Sequence, residues 1–201
     1  MGLRPHPEIQ PAAPGTDRYG AAMAITPDGI TPDDKDWTWV VHERCPECGY
    51  DAAGITHEQV APTIRANAAA WQRVLARDGD VRRRPAPDRW SPLEYACHVR
   101  DVFRIYDYRL GLILDTDDPT YPNWDQDETA LAERYGAQDP VVVAGEVQAA
   151  ADQIASRFAS VRDDQWSRTG NRSDGARFTV DTFARYFLHD IVHHIYDVDG
   201  N

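Results

Sequence analysis

No stretch of this chain is apolar over the ~18 to 20 residues that a membrane span needs, and its N-terminus has no short apolar core of the secretory kind. A cytoplasmic protein is therefore expected. Cysteine is scarce: three occur in 201 residues, an odd number with one inside a predicted helix. That excludes a disulfide framework and leaves reduced thiols or metal binding. Positive charge is in deficit, with 21 Lys and Arg against 33 Asp and Glu, for a net charge of −12. The average surface repels phosphate backbones and anionic lipid, so neither nucleic acid nor membrane is expected as a partner. The one basic run, Arg82-Arg83-Arg84, is flanked by proline and reads as a solvated loop.

What is present is an ordinary globular composition, 42% hydrophobic, 27% charged and 10% aromatic. Residues 1 to 36 hold many of the prolines and glycines without any period and are expected to be a flexible tail. Residues 37 to 201 are expected to form a single domain. It opens with WTWVVHERCPECGY, whose brief apolar alternation predicts a short strand or extended arm ahead of a Cys-Pro-Glu-Cys-Gly turn.

Helical spacing then takes over. The first helix is predicted to open at Thr56, with Gln59 completing a capping box, and to stop near Gly79. The second opens at Ser91, with Pro92 in its first position and Glu94 three residues after the cap, and runs to about Leu114. The long connection Asp115 to Gln138 holds PTYPNWDQDE and a short helical turn at Glu128 to Arg134. A third helix spans Asp139 to about Val161 and, after the polar turn SRTGNRSDGAR, a fourth spans about Thr179 to Val198. Short links at the ends and a long one in the middle fit an all-α, up-down-down-up four-helix bundle, in which the second and fourth long helices are antiparallel.

Seven histidines are present. His189 and His193 are spaced i, i+4, so two imidazoles leave one face of the fourth helix. At 1.5 Å per residue His98 lies about 10 Å into the second helix and His193 about 9 Å from the end of the fourth, so antiparallel packing brings them level. Asp190 and His194 form a second i, i+4 pair, rotated by about 100° from the first. Both pairs cannot face one metal, and periodicity alone decides only weakly between them. His6, His42 and His57 read as ordinary satisfied or solvated residues.

The segment from Trp90 through Ser91, Pro92, Glu94 and Cys97 to His98, followed much later by His189, Asp190, His193 and His194, resembles the DinB-like superfamily. The likeness is greatest to actinobacterial members of the mycothiol-dependent maleylpyruvate isomerase type. It implies the same bundle with an irregular N-terminal arm, and a metal triad that carries over as His98, His189 and His193. It further implies a low-molecular-weight thiol, mycothiol or bacillithiol, as cosubstrate. Three imidazoles leave open positions and suit zinc foremost, then nickel or iron. A cation there would act as a Lewis acid or lower the pKa of a bound water or thiol.

The expected function is a metal-dependent transferase that uses this thiol for S-transfer to, or isomerisation of, a small electrophile. A metal-dependent hydrolase and a non-catalytic metal- or ligand-binding stress protein are the competing readings. Asn123, Trp124 and Asp127 on the central connection are candidates for covering the site and binding substrate. Tyr106, Tyr186 and Arg185 are candidate neighbours, and Asp101 and Asp190 candidate acceptors for a ligand imidazole. Cys45 and Cys48 resemble half of a zinc ribbon that lacks its second C-x-x-C. His42 and His57 could complete such a site, a redox pair is another option, and an ordinary turn with reduced thiols is the reading preferred. Cys97 is assigned to the core. No heptad seam fixes the oligomeric state, and a homodimer stays open.

Overall fold

The computed structural model describes residues 29–31 and 35–199. Most of the tail expected over 1 to 36, His6 included, lies outside the described residues. Four long helices form the body: α1 (His57–Leu75), α2 (Pro92–Asp115), α4 (Pro140–Ala159) and α5 (Val180–Asp199), with the short α3 (Gln126–Ala132) in the central connection. Their starts follow local chemistry. Gln59 accepts the Thr56 N–H at 2.9 Å at the head of α1. Ser91 and Glu94 exchange side-chain to backbone bonds of 2.8 and 3.2 Å at the head of α2. Asp139 accepts from Val141 at 2.8 Å ahead of Pro140, and Thr179 and Thr182 cap α5 reciprocally at 2.9 and 3.1 Å. Each satisfies amide groups that a helix leaves without intrahelical partners.

Side-chain pairs give the directions. Arg100 meets Glu146 and Asp107 meets Arg157, so α2 and α4 run parallel. Gln72 meets Ala144 and Arg65 meets Asp152, so α1 and α4 are antiparallel. Asn67 meets Ile191 and His57 meets Asp181, so α1 and α5 run parallel. The order is up, down, down, up, as expected, and α1 and α2 each pack along both α4 and α5. The core is the seam of Trp71, Phe103, Leu110, Ile154, Phe158 and Phe187, all buried. No helix among the described residues is long and apolar enough to cross a membrane.

Two expectations change. The segment from Trp37 is no strand: Asp36 accepts the Thr38 N–H at 2.9 Å and starts a 3-10 turn, Thr38–Val41, that lies against α5. The SRTGNRSDGAR segment is more than a turn. It makes β2 (Thr169–Arg172) and β3 (Arg177–Thr179), an antiparallel hairpin to which β1 (Thr120–Tyr121) of the central connection adds in parallel. Gly170 is where this sheet sits down on α2. A Cβ there would come within 2.6 Å of Ile113, so only glycine allows the approach.

Candidate metal centre

The two i, i+4 pairs of α5 point about 100° apart, and the structure gives each its own partners. The His189 and His193 face meets the N-terminal arm, where Cys45 and Cys48 wait. The Asp190 and His194 face meets His98 on α2. One donor atom each from His98, Asp190 and His194 lies within 4.8 Å of the others. The expected set of His98, His189 and His193 is therefore divided between two groups. The axial levels matched as predicted, but level does not fix rotation, and one residue along α5 exchanges one face for the other.

In the His98 group, Asp190 Oδ1 lies 3.3 Å from His194 Nε2 and 3.7 Å from His98 Nε2. These separations lack hydrogen-bond geometry: His98 Nε2 and Asp190 Oδ1 are both buried without a hydrogen-bond partner. Buried polar atoms in that condition cost ~1–3 kcal/mol each unless something else engages them, and three ligand atoms within 4.8 Å of one another are what a cation could engage. His194 is held from behind, its Nδ1 2.9 Å from Asp197 Oδ2, which leaves Nε2 facing the group. Burial alone would neutralise Asp190, yet His194 and His98 hold its carboxyl far below the usual range. Burial likewise opposes charge on His194, but Asp190 and Asp197 push it up to about 9. Burial lowers the pKa of His98 despite Asp190 nearby. The surroundings thus favour the ionised form of Asp190, the charged form of His194 and the neutral form of His98.

The ring of His98 is set by stacking. Trp124 lies flat on it at 5.3 Å and 9°, and Trp90 lies 5.2 Å away at 44°. The sheet delivers Trp124: β1 is held by β2, Asn123 donates to Ser173 at 2.8 Å, and the Trp124 indole donates to Thr129 at 2.7 Å. Asn123, Trp124 and Asp127 all line one cleft of about 1620 Å³, together with His189, Asp190, His193 and His194 of α5 and with Tyr106, Tyr186, Arg109 and Arg172. Arg109 is 5% exposed; its guanidinium donates to Pro122 O at 2.8 Å and sits over Tyr121 and Tyr106 at 5.1 and 5.7 Å. Arg172 faces Asp174 at 2.8 Å and Tyr186.

Other expected residues go elsewhere. Asp101 holds Arg100, Arg104 and the Tyr135 hydroxyl rather than a ligand imidazole. Asp190 is a member of the donor group, not its support. Arg185 bonds Asp181 and the carbonyl of Ala52. His57 pairs with Asp181 at 2.9 Å and stacks on Trp166 at 3.7 Å, so it does not complete the cysteine turn; His42 is no member of the group either. Cys97 is buried in the core as expected. Asp197, Arg109 and Arg172 were missed. The i, i+3 step from His194 to Asp197 was the available signal for the first; for the arginines no local pattern existed.

Residues 63–198 match the DinB superfamily. No curated protein matches the chain. Among solved structures, YfiT from Bacillus subtilis, described as "a probable metal-dependent hydrolase with an unusual four-helix bundle topology", shares the fold at a TM-score of 0.63 and 15% identity. The likeness covers 72% of this chain and 87% of that one.

Proposed function

This chain belongs to the DinB superfamily, and from that premise we propose that it is a metal-dependent enzyme. His98, Asp190 and His194 hold one divalent cation on the wall of the cleft, where a low-molecular-weight thiol such as mycothiol meets a small anionic electrophile. One observation carries the reading: His98 Nε2 and Asp190 Oδ1, buried and without hydrogen bonds, converge with His194 Nε2 beside a cleft of about 1620 Å³. Two nitrogens and one carboxylate oxygen suit zinc, nickel or iron and leave room for exchangeable ligands. When bound, the cation supplies Lewis acidity, bringing a coordinating thiol, ordinarily of pKa about 8.5, or a water toward ionisation at neutral pH.

The chain's own residues supply the rest. His194 releases its Nε2 proton when the donor is needed, while Asp197 keeps the ring in place through Nδ1. Trp90 and Trp124 fix His98 and close off water on that side. Arg109 and Arg172 place two guanidinium groups in the cleft, and the described contacts of Arg109 are a carbonyl and two rings rather than a carboxylate. A carboxylate or phosphate on the substrate would pair with it in the forked geometry guanidinium favours. The cleft exceeds the ~300–1,000 Å³ typical of a one-ligand pocket, as a reaction between two molecules requires.

Hydrolysis is the second reading, favoured by the description of YfiT. It needs a general base at the site, and several carboxylates lining the cleft are committed: Asp36 and Asp125 cap turns and Asp174 holds Arg172. A thiol must likewise give up its proton on the way to thiolate, so the requirement for a thiol, not for a base, is what separates the two readings.

The test incubates purified protein with carboxylated electrophiles and with mycothiol, bacillithiol or glutathione. Consumption that needs a thiol and disappears in Asp190→Ala, together with one equivalent of metal, is the expected result. Turnover without any thiol would replace transfer by hydrolysis. Full metal content in both His98→Ala and Asp190→Ala would remove the centre altogether.

A further inference from the structure

The other face of α5 carries a second donor group, opposite the Cys-Pro-Glu-Cys-Gly turn. Its turn is built for ligation: Cys45 N–H donates to Tyr50 O at 2.9 Å, Gly49 N–H returns to Cys45 O at 3.0 Å, and Gly49 takes φ +74°, which only glycine adopts cheaply. That geometry turns both thiols toward α5, where His189 and His193 project one helical turn apart. One donor atom from each of the four residues lies within 4.8 Å of all the others. A tetrahedral zinc with S at about 2.3 Å and N at about 2.0 Å has donor-to-donor edges of about 3.3–3.8 Å. Cys45 Sγ to His193 Nδ1 is 3.8 Å.

The imidazoles are prepared for this role by their surroundings. His193 turns Nε2 toward Glu47 Oε2 at 3.6 Å and Asp197 Oδ1 at 3.7 Å, so its proton belongs on that side and the Nδ1 lone pair faces Cys45. His189 Nε2 is buried with no hydrogen-bond partner. Trp37 covers both rings at 5.2 and 5.0 Å. All three cysteines are free thiols, and Cys45 is fully buried.

We propose that Cys45, Cys48, His189 and His193 form a second metal site, a Cys2His2 zinc centre that fastens the N-terminal arm to α5. Four protein donors close the coordination shell, the arrangement of a structural rather than a catalytic zinc. The arm it fastens carries Trp37 and Trp39, which form one wall of the cleft. The ordinary-turn reading of the Cys-Pro-Glu-Cys-Gly segment is thereby replaced: the missing half of the ribbon is a helix far along the chain. This inference does not depend on what reaction the cleft performs, nor on the His98 centre being loaded.

Cobalt substitution of the full-length protein tests it. Zinc is removed under reducing conditions and Co²⁺ added. Wild type should develop the intense near-ultraviolet thiolate-to-cobalt absorption and tetrahedral visible bands. His98→Ala, which disables the other group, should keep them; Cys48→Ser should lose them with one equivalent of metal. Cys48 is the partly exposed member of the pair, so its loss need not disturb the core. In the zinc-loaded wild type, Cys45 and Cys48 should resist iodoacetamide until a chelator is added. No thiolate-to-cobalt band in wild type, alkylation indifferent to zinc, or a Cys45 to Cys48 disulfide persisting when zinc is present would each overturn the proposal. Should Cys48→Ser fail to fold, the cobalt titration of wild type decides alone.

Discussion

Asp190 Oδ1 faces two imidazole nitrogens at 3.3 and 3.7 Å from the middle of a helix. A residue so placed is exchangeable only for another donor. Asp190→His, supplying nitrogen for oxygen, should keep metal at this position through extended dialysis, and Asp190→Ala should lose one equivalent; elemental analysis of both variants checks it. Asp101, three residues beyond His98, has a different part. Burial would raise its pKa, but Arg100, Tyr135 and Arg104 hold it below the usual carboxylate range. The folded value is thus depressed. Its stabilisation is fully present above the unfolded value near 4 and disappears as pH falls through the lower folded value. Asp101→Asn should cost about 2–3 kcal/mol at pH 7, since it removes the carboxylate that grips a buried guanidinium at 2.9 Å and leaves it Glu146, Gln138 and the Tyr135 ring. The difference from wild type in urea unfolding should narrow as pH drops below 4. At this scale the sequence was readable in part. Histidine spacing and axial level implied that His98 on α2 and the histidines of α5 share one height, and in the structure the His98 ring lies 4.7 Å from the His194 ring. Rotation was not readable, because His189 with His193 and Asp190 with His194 have the same period and differ only in which neighbour each face meets.

Among the elements, the long helices announce themselves through caps at Thr56, Ser91 and Asp139 and through the period of their buried residues. The small sheet does not. β1 is two residues long and β3 three, too short for alternation to register, and Thr169 to Arg172 is polar along its length. What holds these strands is tertiary: Arg177 and Thr169 on Asp118, and Arg168 on the carbonyls of Ile113 and Thr116 that end α2. Because Gly170 seats the sheet, Gly170→Ala should push it off Ile113. The expected cost is about 1–3 kcal/mol in chemical unfolding. Trp124, which rides on the same connection, should show altered fluorescence even where the variant folds. A change in stability with unmoved Trp124 emission would separate the sheet from the site.

At the level of the whole molecule, the C-x-x-C turn shows why one line of sequence reading stopped short. Its partners stand more than a hundred positions away, so no local count of ligands could complete it; only the parallel course of α1 and α5 brings the arm across His189 and His193. The same arm is tied independently, with the Tyr50 hydroxyl donating to Arg185 O at 2.9 Å and Arg185 reaching back to Ala52 O. Tyr50→Phe should therefore loosen the arm without freeing it: protease cleavage near residue 50 is expected to rise modestly in the zinc-loaded protein and steeply once zinc is chelated.

One carboxylate touches both donor groups. Asp197 accepts from His194 through Oδ2 at 2.9 Å and lies 3.7 Å from His193 through Oδ1. A cation on either imidazole makes the distal N–H of that ring a stronger donor and draws the shared carboxylate toward it, so the other ring is left less basic. The two dications also repel each other. With both centres loaded, occupancy would be anticooperative, and thermodynamic reciprocity would make the penalty the same whichever is filled first. Chelator competition should find zinc held several-fold more tightly by the cysteine centre in His98→Ala than in wild type.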